Sequence, residues 1–188
     1  MPNTYPGMIV EITKWEKGCS RILFDGLFAA GGISLSQVSA LTGLEPYQIQ
    51  NWVKRGFVTS PVKRLYSRRQ FARIVLINML RQSLQIEKIC DLIKIIAGVP
   101  GDESDDLISD NVLYHHYVDM LVEGNINPLD GESVRRATEA AAESCEERIP
   151  GSRGQLAYLF EVMLYAHAAS KSQRKSEEAF DVLQKTYQ

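Results

Sequence analysis

Residues 33–56 constrain this chain more than any other stretch, because two short helical patterns meet there at a junction that allows few geometries. Ser34 is placed to cap a helix carrying Leu35, Val38 and Leu41 on one side. Thr42-Gly43-Leu44 ends that helix and puts a glycine where a left-handed residue is needed. Glu45-Pro46 opens a second helix, since proline is tolerated in a first turn whose N–H groups lack partners. Ile49, Trp52 and Val53 form its apolar side and Gly56 ends it. Tyr47, Gln48, Gln50, Asn51, Lys54 and Arg55 are left to face solvent or a ligand.

The next segment, FVTSPVKRLY at residues 57–66, has β-branched and apolar residues around Ser60-Pro61 and reads as a small β-wing carrying Lys63 and Arg64. Ser67 then caps a long helix that is apolar on most of its circumference, from Phe71 to Leu80, and so belongs in a core. Residues 86–97 form another amphipathic helix with Ile86, Ile89, Cys90, Ile93 and Ile96 on its apolar side, where Cys90 reads as a small buried hydrophobe. Gly98-Val99-Pro100-Gly101-Asp102 is a natural linker. Beyond it, helices are expected at about 105–123, 131–148 and 154–175, with a continuation of the last to Tyr187 left open. Upstream, residues 20–30 suggest a short helix with Ile22, Leu23, Leu27 and Phe28 on one side, closed by Gly31-Gly32. The expected fold class is mainly α: a winged helix-turn-helix domain with a short β-wing, followed by an all-helical C-terminal domain. The expected segments are 1–32, 33–98 and 99–188.

Charge supports a nucleic-acid reading of the middle segment. The formal net charge is only -2, but residues 45–94 hold ten Lys/Arg against three Asp/Glu, and residues 102–150 hold three Arg against thirteen acids. A basic block inside a near-neutral chain suits a module that meets phosphates. The second helix can enter a major groove, where Gln and Asn bond adenine edges and Arg or Lys hold guanine or phosphate. Gln48, Asn51 and Arg55 share one face at helical spacing and, with Tyr47, are assigned to base readout. Lys54, Lys63, Arg64, Tyr66, Arg68 and Arg69 are assigned to the DNA backbone, the last two beside a helix N-terminus that itself attracts phosphate.

Four runs carry a resemblance: ISLSQVSALTGL at 33–44, WVKRGFV at 52–58, RLYS at 64–67, and FARI at 71–74. In order and spacing they resemble the winged-helix pattern of MerR-like transcription regulators. They are closer still to an uncharacterised bacterial family of unknown function with a MerR-like DNA-binding domain and a similarly shortened wing. The resemblance implies that the recognition helix, at Tyr47 to Asn51, and Arg64 contact DNA. Asn51 departs from the pattern, which usually has an aromatic there; the wing lacks a glycine-bearing tip, and no long heptad helix follows Ala97.

The function expected is therefore a sequence-specific DNA-binding transcription regulator, a homodimer acting on double-stranded DNA. The alternative is a protein-interaction module that keeps the scaffold without DNA binding. Nothing resembles a nucleophile elbow, a phosphate-binding glycine loop or a His-Glu-x-x-His helix, so no enzyme, cofactor or metal is expected. His115 and His116 are adjacent and cannot share a metal as an i, i+4 pair would. The acid-rich residues 101–106 lack the ligand spacing of a calcium loop. Tyr114, Tyr117, Tyr158, Phe160, Tyr165 and His167 either line a small-molecule effector pocket or fill a helical core and subunit interface. Three widely spaced cysteines, no signal-peptide pattern and no membrane-length apolar run lead to the expectation of a cytoplasmic protein without a membrane partner.

Overall fold

The computed structural model describes residues 4–97 and 106–187. Among them the chain forms eight helices and one small two-stranded sheet, and is mainly helical as expected. The anticipated linker at residues 98–102 and the acidic stretch at 101–105 lie outside the described residues.

Helix α1 (Cys19–Leu27) is followed by β1 (Ile33–Ser34), then α2 (Leu35–Thr42) and α3 (Pro46–Lys54). Ser34 accepts from the Gln37 amide at 3.4 Å while Gln37 Oε1 accepts from the Ser34 amide at 2.8 Å, a reciprocal cap that fixes the start of α2. Gly43, at φ 72°, ends α2 in the left-handed conformation required there. Val38, Leu44 and Ile49 are sealed between the two helices and the core.

Strand β2 (Leu65–Tyr66) does not stand alone: it pairs antiparallel with β1, Ile33 opposite Tyr66 and Ser34 opposite Leu65. No local pattern signals β1, because the residue that pairs as a strand also caps α2. Gly32 makes the approach feasible, since a Cβ there would lie 2.7 Å from Leu65 Cβ. Helix α4 (Arg68–Leu80) repeats the reciprocal cap, with Ser67 and Gln70, and runs through the core with Phe71, Ile74, Val75 and Ile77 fully buried.

Helices α5 (Ile86–Ala97), α6 (Asp110–Glu123), α7 (Gly131–Glu143) and α8 (Arg153–Tyr187) complete the chain. Helix α6 packs along α4, α7 pairs with α8, and the first half of α8 also reaches α4, so one apolar core continues from Tyr5 to Ala166. A cluster of Phe24, Phe71, Tyr114 and His115 ties α1, α4 and α6 together, with ring centroids 4.8–5.7 Å apart from Phe24. Burying a side chain such as Phe24 contributes about 1.5–3 kcal/mol.

Some expectations need correction. Helix α1 ends at Leu27 rather than Ala30, and Ile22 faces solvent; Phe24 fills the space between the other rings. Helix α6 begins at Asp110 rather than near residue 105, and α7 stops at Glu143 rather than Arg148. Cys90 is half-buried instead of sealed. The expectation of helices alone after Tyr66 needs no correction: no strand follows it among the described residues.

Candidate nucleic-acid interface

Helix α3 turns Ile49 and Trp52 into the core, and this fixes what its outer face presents. Tyr47, Gln50, Asn51 and Lys54 are exposed at spacings of three and four, which puts them on one strip of the helix. The strip anticipated from residue types, Gln48 with Asn51 and Arg55, is thus only partly present. Gln48 is half-buried and its Oε1 accepts the Glu45 amide at 3.0 Å, so its acceptor serves the helix cap. Arg55 lies just past the end of α3, its guanidinium 4.7 Å from the centre of the Phe57 ring. Gln50 is the member that residue-type reasoning passed over; stepping by three from Tyr47 along the polar face would have found it.

The second element is the reversal from Val62 to Leu65. The Leu65 amide donates to the Val62 carbonyl at 2.9 Å, and Lys63 and Arg64 between them adopt φ 51° and φ 66°. Positive φ at both central residues is the type I′ geometry that normally calls for Asn-Gly. For a side chain with a Cβ, each such residue costs roughly 1–2 kcal/mol. The surrounding structure holds the strain in place: β2 is paired to β1, and Gln70 Nε2 donates at 3.0 Å to the carbonyls of Thr59 and Ser60 behind the turn. Retained strain of this sort concentrates at functional sites. Lys63 and Arg64 are exposed and form no ion pair with a described residue, and the same holds for Lys54 and Arg55.

The remaining residues expected at the DNA backbone are placed differently. Tyr66 is buried as the strand partner of Ile33, and burial pushes its phenol above the usual tyrosine range, so its ring belongs to the core. Arg68 pairs with Asp25 at 2.5 Å on the surface. Arg69 reaches Asp106 at 2.6 Å and Asp110 at 3.1 Å, and Arg73 grips Asp110 through two nitrogens at 2.8 and 2.9 Å. Asp106 and Asp110 are themselves buried. The cationic start of α4 is therefore matched by acids around the start of α6.

One cleft of about 530 Å³ is lined by Arg55 and Phe57 after α3, by Val62 and Leu65 of the hairpin, by Cys90 and Lys94 of α5, and by the Arg69, Arg73, Asp106 and Asp110 network. Among the described residues no group of three or more His, Cys, Asp or Glu is arranged to hold a metal ion, and no helix is long and apolar enough to cross a membrane. Of the aromatic and histidine residues in the C-terminal half, Tyr114, Tyr117 and Phe160 are buried in the core, while Tyr158 and Tyr165 are exposed. No curated protein and no solved structure matches the chain. Residues 33–117, from β1 into α6, match the model of a family described as a domain of unknown function, DUF1836.

Proposed function

We propose that this protein binds duplex DNA as a MerR-like, homodimeric transcription regulator of the cytoplasm, with α2 as the bracing helix, α3 as the recognition helix and the Val62–Leu65 hairpin as a short wing. The observation that carries the reading is the exposed strip Tyr47, Gln50, Asn51 and Lys54 on a helix whose other side is locked into the core, with Arg55 at its end and Lys63 and Arg64 on the hairpin that shares a cleft with it, all four cations being without acidic partners among the described residues. Gln50 and Asn51 have the amide groups that read adenine edges, and Lys54, Lys63 and Arg64 have the charge that meets phosphates.

Fluorescence polarisation on a pool of genomic fragments, at low and at physiological ionic strength, tests this. Affinity should fall as salt rises, and K63A/R64A should lower the slope of log affinity against log salt by about 0.9 for each phosphate that is no longer neutralised. Asn51→Ala should instead weaken only the preferred fragments. Absence of binding at low salt, or a salt slope unchanged in K63A/R64A, would overturn the reading.

The Arg69/Arg73 network with Asp106 and Asp110 favours a second reading, in which the acidic start of α6 occupies the basic start of α4 and the scaffold serves protein contacts. The two part on Asp110→Asn. DNA affinity present in wild type and little changed by the substitution supports the first reading; affinity that emerges only in the variant supports the second.

A further inference from the structure

A second cavity, of about 370 Å³, lies between the N-terminal segment, the α6–α7 connection and the middle of α8. The N-terminal segment lines it with Ile12 and Trp15, and one face of α8 lines it with Leu164, His167, Lys171 and Lys175. Among the described residues that line it there is no carboxylate and no arginine. Its size is in the range that holds small organic ligands. Two lysines sharing a cavity with these apolar side chains and no counter-charge suit a ligand with an apolar body and a single anionic end. Desolvation, together with the neighbouring Arg174 and Lys175 cations, holds the Lys171 ammonium below its ordinary value, and a bound anion would relieve that repulsion. His167 is fixed at the cavity by its Nδ1, 2.9 Å from the Tyr117 hydroxyl, which leaves its other ring nitrogen for a ligand.

The N-terminal segment that forms part of this cavity also touches the α2–α3 junction. Thr4 bridges to Glu11, and the Tyr5 amide donates to the Val10 carbonyl at 3.1 Å, so residues 4–11 make a tight reversal. Thr4, Pro6 and Ile12 line the cavity. From the same segment the Ile9 amide donates to the Leu41 carbonyl at 3.0 Å, and Asn78 Nδ2 donates both to the Gly7 carbonyl at 3.0 Å and to the Thr42 carbonyl at 3.1 Å. Leu41 and Thr42 are the last residues of α2.

We propose that the cavity between residues 4–15 and α8 binds an organic monocarboxylate and that its occupancy is transmitted through the Ile9–Leu41 and Asn78 hydrogen bonds to the end of α2. Binding and transmission need no DNA. Only the regulatory meaning, a ligand that adjusts how α3 is presented, rests on the DNA-binding reading above.

Calorimetry with 1-naphthoate on the full chain tests the site, with 1-naphthalenemethanol and 1-naphthyl phosphate as the neutral and phosphate counterparts. The carboxylate should bind about tenfold or more tightly than the alcohol and more tightly than the phosphate ester, and K171Q/K175Q should remove most of that advantage. Hydrogen exchange read at the Ile9 amide tests the transmission: saturating 1-naphthoate should slow it severalfold in wild type and leave it unchanged in K171Q/K175Q. Equal affinity for acid and alcohol, tighter binding of the phosphate ester, or full affinity in the lysine variant would overturn the site. An Ile9 amide indifferent to bound 1-naphthoate would overturn the transmission. If both arms succeed and the polarisation assay finds no DNA binding, the ligand site stands and the DNA reading alone fails.

Discussion

His115 is closed in by Phe24 and Tyr114, and its Nδ1 lies 2.9 Å from Ser20 Oγ. Burial, with the nearby Arg21 cation adding to it, lowers its pKa to about 4, and burial beside Lys171 and Arg174 lowers that of His167 to about 4 as well. Both rings are therefore neutral in the folded protein down to about pH 4, whereas in the unfolded chain they protonate near pH 6.5. Stability is then undiminished above about pH 6.5 and falls as pH drops from there toward 4, at up to about 1.4 kcal/mol per pH unit for each histidine. Urea unfolding followed between pH 7 and 5 should show this loss, and H115N/H167N should flatten it; an equal slope in the variant would show that other groups are responsible. Asn78 gives a second prediction at this scale. It is the polar break in the apolar run of α4, and it joins Gly7, Thr42 and Arg81 in one hydrogen-bonded set. Asn78→Ala should cost about 2 kcal/mol, because it strands two carbonyls inside the protein, and equilibrium unfolding measures it.

The elements put their strain in one place. The reversal at Lys63-Arg64 holds two side-chain-bearing residues at positive φ, whereas Asn-Gly would adopt the same turn without penalty. K63N/R64G should accordingly raise stability by about 1 kcal/mol in thermal or urea unfolding while lowering affinity for DNA. A less stable variant would mean that Lys63 and Arg64 make interactions worth more than the strain. The capping residues Ser34 and Ser67, the helix start at Glu45-Pro46 and the terminator Gly43 were legible in the sequence because each acts on groups within a few residues of itself. The pairing of β1 with β2 was not, since it joins positions 33–34 to 65–66 and depends on Gly32 letting the strands approach. The readout strip shifted for a related reason: Gln48 has the right chemistry for a base edge, but the cap of its own helix uses its acceptor first.

At the scale of the molecule, α8 divides into two halves with different roles. At 1.5 Å per residue its 35 residues extend about 52 Å. The first half buries Leu156, Phe160 and Met163 against the core, while from Lys171 to Thr186 every residue except Glu178 is exposed. Removing residues 177–188 should change the unfolding free energy by less than about 0.5 kcal/mol, because residues 177–186 bury almost nothing within the chain. A larger loss, measured at several protein concentrations, would reveal contacts made outside this chain. The sequence reads as helical to Lys175 with the continuation open, and α8 runs on to Tyr187, since neither Gly nor Pro follows Gly154 to end it. The acidic character of residues 102–150 was readable too, but its destination was not: Asp106 and Asp110 end up buried against Arg69 and Arg73.

Sequence alone determined which segments are helical, the caps of α2 and α4, the tight junction before α3 and the basic composition around it, because those follow from local periodicity and from hydrogen bonds that close within one turn. Tertiary structure decided which cations face solvent without an acidic neighbour among the described residues, which polar side chains serve the fold and where cavities open. Those outcomes depend on groups far apart in the chain meeting in a low-dielectric core, where an arginine takes the nearest buried carboxylate and an asparagine takes the nearest unpaired carbonyl, and no local pattern records which one that will be.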